Sequence, residues 1–263
     1  MYRSVEVSTK CAENAVENEQ CTLSVIVPIH NEEKILESQA LKLIGYVREL
    51  TERFEILLVE NGSTDKTFQI ARELQKRFNF IRLIKLSQAD YSTAVIEGVK
   101  RARGEYSIIF GIDFVDLEVL KRCFQKLKHS DIVICSKNLG FDGRPFLNRL
   151  ANKIYNTAAK TFLGLTHSDV EGYHGYNTKK IQALLTGVKT KAHLCNVWIL
   201  AKAKKARLKV DEVPMTVYEV RKSRFMKLIR LPYLAAISLI EIIKIKYMNI
   251  KWKPKLNYGK AFS

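Results

Sequence analysis

Leu23-Ser-Val-Ile-Val-Pro-Ile-His-Asn-Glu-Glu33 and Glu55-Ile-Leu-Leu-Val-Glu-Asn-Gly-Ser-Thr-Asp65 are two apolar, β-branched runs that each stop abruptly at polar and turn-forming residues. Between them, residues 32–53 carry Ile35, Leu36, Leu43, Ile44, Val47 and Leu50 at helical spacing on one broad face. Strand, helix, strand is a βαβ unit, and runs this uninterrupted belong to strands covered on both faces. The carboxyl ends of neighbouring parallel strands form a crevice where ligands bind. Gathered there are Pro28, His30, Asn31, Glu32, Glu60, Asn61, Ser63 and Asp65. Acceptors and small polar groups of this kind suit a base and a ribose. Neither common Gly-rich phosphate loop is present, which argues against a P-loop or a dinucleotide fold.

Working outward, the alternation continues. Ser63-Thr-Asp65 can cap a helix over 66–78, residues 81–86 read as a third strand, and 92–103 as a helix with Gly104 as its stop. A fourth strand over 106–110, a helix over 116–128 and a fifth strand over 131–135 follow. This rhythm predicts an open, mostly parallel α/β sheet with helices on both faces. After Ser136 it changes to a loop over 138–145, an amphipathic helix over 146–163 bearing Arg149, Lys153 and Lys160, and a polar loop over 166–177. Helices near 179–186 and 196–207 and a short strand over 209–216 complete this half.

The chain has 263 residues, 47% hydrophobic and 27% charged, which suits one soluble globular domain with an appendage. A polar, acidic start argues against a secretory signal. Five scattered cysteines lack metal-ligand spacing, and Cys123 and Cys135 sit in apolar runs as free thiols; a reduced, cytoplasmic compartment fits. The net charge of +17 is uneven, because residues 200–263 hold sixteen Lys or Arg against four Asp or Glu. Within them, residues 225–248 form an apolar run with a thin polar stripe and dense basic flanks. The apolar part, residues 231–243, is shorter than the roughly 20 residues a membrane span requires. A helix lying on an anionic membrane fits, as does a terminal helix packed on the sheet. Nucleic acid is not expected, since the basic residues flank an apolar run instead of interleaving with aromatics. The organisation expected is a flexible segment 1–21, a main domain 22–220 (nucleotide half 22–136, acceptor half 137–220) and a basic tail 221–263.

At the end of the fourth strand stands Phe110-Gly-Ile-Asp-Phe-Val-Asp116. A carboxylate here can hold Mg²⁺ or Mn²⁺ against a diphosphate, as hard cations bridge carboxylate and phosphate oxygens. Taken singly, Asp113 also reads as a loop residue and Asp116 as a helix N-cap.

Taken with the two opening stretches, the strand ending at Asp113 resembles the inverting nucleotide-sugar transferases of glycosyltransferase family 2, which have the GT-A fold. The resemblance covers about residues 22–140. Leu147-Asn-Arg-Leu-Ala-Asn152, Asp169-Val-Glu-Gly-Tyr-His174 and Glu212-Val-Pro214 look like segments of the dolichol-phosphate mannose synthase branch, where sugar passes to a polyprenyl phosphate at the membrane.

That resemblance implies a nucleotide-diphosphate sugar donor, a polyprenyl phosphate or other lipid-linked acceptor, and a location on the cytoplasmic face of the membrane. Pro28, His30 and Glu32 would line the base and ribose pocket, with Asn61 and Asp65 helping to hold the nucleotide. Asp113 would be the second carboxylate of the Asp-x-Asp motif, the metal ligand. The sequence departs from the pattern at Gly111, where the first carboxylate belongs, and at Asp90-Tyr-Ser92, Glu171, His174 and Trp198. The alternative implied by Gly111 is a catalytically impaired relative that binds nucleotide or a partner.

A phosphate acceptor is already a nucleophile near neutral pH and needs no base, but it does need cations. Lys137, Arg144, Arg149, His174, Arg221 and Arg224 are the candidates, with Arg favoured for bidentate geometry. The related enzymes place a phosphate-binding Arg after Glu-Val-Pro, where Arg221 and Arg224 stand. For a hydroxyl acceptor a base is required, and Asp169 or Glu171 is expected to serve.

Overall fold

β1 (Leu23–Ile29), β2 (Phe54–Asn61) and β3 (Ile81–Leu86) pair in parallel, Leu23 opposite Phe54 and Ile56 opposite Ile81. Every residue of β1 except Pro28 is buried, as is every residue of β2 except Phe54. That two-sided burial is what the unbroken apolar runs demand. The computed structural model describes residues 21–113, 116–185, 194–218, 239–240 and 242–247.

The seven-stranded sheet runs β3-β2-β1-β4-β6-β5-β7, with β4 (Tyr106–Ile109), β5 (Ile132–Asp142), β6 (Tyr173–Asn177) and β7 (Val210–Val217). β6 is antiparallel to both its neighbours, and the other pairings are parallel. On one face α1 (Leu36–Leu50), α2 (Thr67–Arg77) and α4 (Glu118–Leu127) pack on Val25, Val27, Ile56, Leu58 and Ile108. On the other, α3 (Tyr91–Arg101), α6 (Thr178–Leu184) and α7 (Cys195–Lys205) cover Ile26, Leu57, Val59, Ile134 and Tyr176. Cys123 and Cys135 are buried unpaired thiols, as expected. The open, mostly parallel α/β sheet is the one expected; the basic run 225–248 lies largely outside the described residues, as do Arg221 and Arg224.

Two elements differ from the sequence reading. β5 continues through the expected loop to Asp142, because it re-registers after Ser136 and pairs with Thr216 and Val217. Gly140 permits this, since a Cβ there would lie 2.1 Å from the Met215 carbonyl oxygen. The polar loop expected over 166–177 contains β6, inserted mid-sheet between β4 and β5. Its Tyr-His-Gly-Tyr-Asn sequence lacks a β-branched run, so tertiary pairing decides its conformation. Asp116 does not cap α4; its carboxylate accepts from Arg122 Nη2 at 2.8 Å and from the Thr216 amide at 3.1 Å, tying α4 to β7.

Because β6 runs backwards, its first residue, Tyr173, lies opposite Cys135 at the edge where β4 ends and beyond which β5 and β7 continue as a pair. The polar ends of β1 to β4 therefore share one edge with the start of β6. α5 (Phe146–Leu163) leaves that edge and closes on Gly164, which is left-handed at φ 62°.

Candidate active site

The first part of the site is the rim where β1 and β2 end. Asn31 (φ 56°) and Gly62 (φ 67°) both turn left-handed, folding residues 30–33 against 61–65. Asn tolerates that region better than most side chains, and here its amide also bonds locally. Asn31 Oδ1 accepts from the Thr64 amide at 2.9 Å, and its Nδ2 donates to His30 Nε2 at 3.2 Å. His30 Nδ1 in turn donates to the Asn61 carbonyl at 2.8 Å, while Asn61 Oδ1 receives the Asp90 amide at 2.7 Å. Both ring nitrogens of His30 are thereby engaged, which fixes the orientation of a residue that stays exposed. Burial alone would raise the Asp65 carboxyl, but hydrogen bonds from Thr67 and the Glu33 amide hold it below its ordinary value. The Glu32 amide donates to Thr67 Oγ1 at 2.7 Å. The structure thus brings Pro28, His30, Glu32, Asn61 and Asp65 onto one rim, where Asn61 and Asp65 carry its internal bonding.

The second part is a cavity of about 260 Å³ at the same edge, lined by Asp113, Lys137, Arg144, Glu171 and Tyr173, with residues 215–218 of the β7 end as its far wall. Four expected site residues meet here: two carboxylates and two cations. Arg144 is pre-oriented by a bidentate pair with Asp142, Nε to Oδ1 at 2.8 Å and Nη2 to Oδ2 at 2.7 Å. Lys137 is 6% exposed, and its ammonium lies 2.7 Å from Asp169, which is wholly buried. Burial opposes ionisation of Asp169, but Lys137 and the amides of Lys137 and Glu171 keep its carboxyl below the usual range. Asp169 therefore positions Lys137 and does not itself line the cavity. Glu171 behaves oppositely: burial, with the Asp169 charge behind it, lifts its carboxyl to about 7 against the pull of Lys137 and Arg144. A carboxyl titrating there can exchange a proton near neutral pH.

Two further expected cations, His174 and Arg149, are not brought to this cavity. His174 is buried on the opposite side of β6 beside Tyr176, which meets its Nδ1 at 3.1 Å; burial drives its pKa down to about 3. A neutral imidazole there has no charge to offer an acceptor phosphate. Arg149 sits exposed on α5.

Residue 111 carries further information. A Cβ at Gly111 would lie 2.2 Å from the Tyr173 hydroxyl and 3.1 Å from Asp113 Oδ1. The tyrosine oxygen thus fills the space of the side chain that Gly111 lacks. Among the described residues no cluster of three His, Cys, Asp or Glu could cage a metal. A single carboxylate still suits a cation that arrives on a diphosphate, since Mg²⁺ is commonly bound by one or two carboxylates plus substrate phosphates. Sequence reasoning missed Tyr173 as a wall, and it missed Glu212, whose carboxylate accepts from the Ser168 amide at 2.8 Å and hydroxyl at 2.6 Å. That bond pins the 167–172 loop bearing Asp169 and Glu171. The signal was present in Glu212-Val-Pro214, quoted for resemblance alone.

The family model for glycosyl transferase family 2 matches residues 24–190. Among curated proteins, a dolichyl N-acetyl-α-D-glucosaminyl phosphate 3-β-D-2,3-diacetamido-2,3-dideoxy-β-D-glucuronosyltransferase of Methanococcus voltae is 37% identical over 91 residues, which is 34% of this chain and 28% of that protein. A dolichol-phosphate mannosyltransferase of Pyrococcus furiosus is 29% identical over 136 residues, 50% of this chain and 38% of that protein. The matches thus span about a third of those relatives' own length. The fold is shared with glucosyl-3-phosphoglycerate synthase of Mycobacterium tuberculosis bound to UDP, with TM-score 0.63 and 16% identity over 85% of this chain and 80% of that one. The same enzyme has been crystallised with Mn²⁺, UDP-glucose and phosphoglyceric acid.

Proposed function

The chain belongs to glycosyltransferase family 2, and from that premise we propose that it is an inverting transferase. It moves a sugar from a nucleotide-diphosphate sugar to a polyprenyl phosphate or another membrane-proximal acceptor. The observation that carries this reading is the cavity in which Asp113, Glu171, Lys137 and Arg144 converge beside the β1–β2 rim. Two relatives whose names specify dolichyl-linked acceptors support the acceptor class, and the UDP-bound neighbour supports the nucleotide.

In the proposed reaction an acceptor oxygen attacks the anomeric carbon as the bond to the diphosphate breaks on the opposite side, inverting that carbon and releasing the nucleoside diphosphate. The rim residues Pro28, His30, Glu32, Asn61 and Asp65 hold the nucleoside, so the diphosphate points toward Asp113. A divalent cation carried in on the diphosphate would have Asp113 as its protein ligand and would offset charge on the leaving group. Mn²⁺ and Mg²⁺ complexes of the structural neighbour support that expectation. Arg144 and Lys137 offset the repulsion between acceptor phosphate and diphosphate, as aligned cations do best in a site that excludes water. A phosphate of second pKa about 6 needs no base. With a hydroxyl acceptor, Glu171 takes the proton. Among the described residues no helix is long and apolar enough to cross a membrane. In this reading the enzyme works at the membrane surface, on the cytoplasmic face, where a lipid-linked acceptor is presented.

A second reading, a nucleotide-binding relative without turnover, is favoured by the Tyr173 hydroxyl standing beside Gly111. Incubating the protein with a panel of labelled nucleotide sugars and a short-chain polyprenyl phosphate separates the two. The proposal expects labelled lipid phosphate, lost at least about a hundredfold in Asp113→Asn. Nucleotide binding with no transfer to any acceptor would favour the second reading.

A further inference from the structure

α5 carries apolar side chains on both faces: Ala159 is buried, and Tyr155, Ala158, Phe162 and Leu163 pack against the core. The residues it turns toward the protein include Asn152 and Asn156, both buried, with Asn156 Oδ1 receiving the Val170 amide at 2.7 Å. Its outer stripe is apolar: Phe146 is 67% exposed, Leu147 39%, Leu150 41% and Ile154 58%. A surface helix ordinarily turns a polar face to solvent, so an outer stripe of this kind is out of the ordinary. The stripe runs into an open groove of about 520 Å³ formed by Leu150, Lys153, Ile154, Ala158 and Phe162. The strand that leads into α5 adds Leu139 and Phe141, 52% and 53% exposed, with the Phe141 ring 5.4 Å from that of Tyr218 on the cavity wall. Exposed apolar side chains this contiguous mark a docking surface.

The charges around the stripe identify what docks. From residue 143 to residue 168 there is no Asp or Glu, while Arg144, Arg149, Lys153 and Lys160 are all cationic. Arg149 and Lys153 are exposed beside the stripe. Apolar residues flanked by the exposed cations Arg149 and Lys153 match an anionic bilayer, whose acyl boundary takes the former and whose headgroups take the latter.

The geometry points to the outer face of α5, with Leu139 and Phe141, as a membrane-docking surface that sets the cavity mouth against anionic lipid. This rests on the proposed lipid-linked acceptor and extends it, since a phosphate at the headgroup level would enter the cavity past Phe141 and Tyr218 without leaving the bilayer. In sequence the docking surface lies outside the apolar run 231–243.

The test is flotation of the full chain with vesicles of equimolar phosphatidylcholine and phosphatidylglycerol, and with phosphatidylcholine alone. The proposal expects binding to the anionic vesicles that weakens as salt is raised. It expects the triple variant Phe146→Ser, Leu150→Ser, Ile154→Ser to lower the partition coefficient at least about tenfold, in line with the apolar area lost. Lys153→Glu with Lys160→Glu should lower it on anionic vesicles only. UDP and GDP titrations of each variant verify that the rim is folded. Unchanged flotation of both variants overturns the proposal and assigns the membrane contact to the run 231–243. An apolar variant that loses only self-association, with no vesicle binding by the parent, overturns it in favour of a second copy of this chain. A water-soluble short-chain polyprenyl phosphate separates this inference from the reading it rests on. If the soluble acceptor binds while vesicles do not, the docking surface falls and the acceptor class stands. If vesicles bind through α5 while the soluble acceptor does not, the reverse holds.

Discussion

Glu171→Gln removes a cavity carboxyl that titrates near neutrality. Burial raises it from an ordinary 4.5 to about 7, so the folded state keeps its proton over a range where the unfolded chain has lost it. For a group with a raised folded value, the stabilising contribution is complete below the unfolded pKa and is lost as pH rises through the folded one. At about 1.4 kcal/mol per unit, the wild type loses on the order of 3 kcal/mol from this group as pH rises from about 4 to about 8. Gln is close in size and cannot ionise, so it lacks that slope. The variant should match the wild type in acid and exceed it by about 2–3 kcal/mol in mild base, measured by urea unfolding across pH. Parallel pH profiles for the two proteins would refute the reasoning. The same variant reports on the acceptor. With a lipid phosphate, turnover should survive, because no base is needed; with a hydroxyl, it should fall roughly 10²–10⁴-fold.

Lys137→Met leaves Asp169 buried without its cation and should destabilise by about 3–5 kcal/mol in thermal or urea unfolding; a loss under about 1 kcal/mol would contradict the pairing. Since Asp169 is held below its ordinary value, the wild type should also shed stability as pH falls through that depressed value, and the variant should shed less. Gly111→Asp alone should neither add metal-dependent turnover nor fold as stably, as its Cβ meets the Tyr173 hydroxyl; paired with Tyr173→Phe it should recover both, and a gain from the single change would show that the tyrosine yields freely. Glu212→Ala frees the Ser168 amide and hydroxyl and should cost about 1–3 kcal/mol, with faster hydrogen exchange confined to the 167–172 loop; uniform exchange would refute its pinning role.

The nucleotide half was legible because its signals are local. Each apolar run ends at the polar residues that form the rim, and helical spacing fills the gaps, so strands, order and rim residues follow from pattern alone. The second half was legible only by resemblance, and its errors have one cause. β6 and the extension of β5 have no strand composition of their own and exist through pairing with residues distant in sequence, Cys135 with Tyr173 and Phe141 with Thr216. Missing β6 hid two consequences of strand alternation: Tyr173 turns to the cavity, whereas His174 turns to the core. Charge alone placed Lys137, Arg144 and Arg149 in one class, yet only the first two have carboxylate partners that aim them into the cavity. The apolar outer stripe of α5 was also hidden, because an amphipathic period does not reveal which apolar side chains of a helix stay uncovered.

The central claim is a nucleotide-diphosphate sugar bound between the rim and Asp113. Calorimetric titration of the full chain with UDP and GDP, each with Mn²⁺, with Mg²⁺ and with EDTA, tests it most directly. The account predicts that one of the two nucleotides binds, that EDTA weakens it, and that Asp113→Asn removes the metal dependence while leaving residual binding at the rim. A folded sample that binds neither nucleotide under any of these conditions would contradict it.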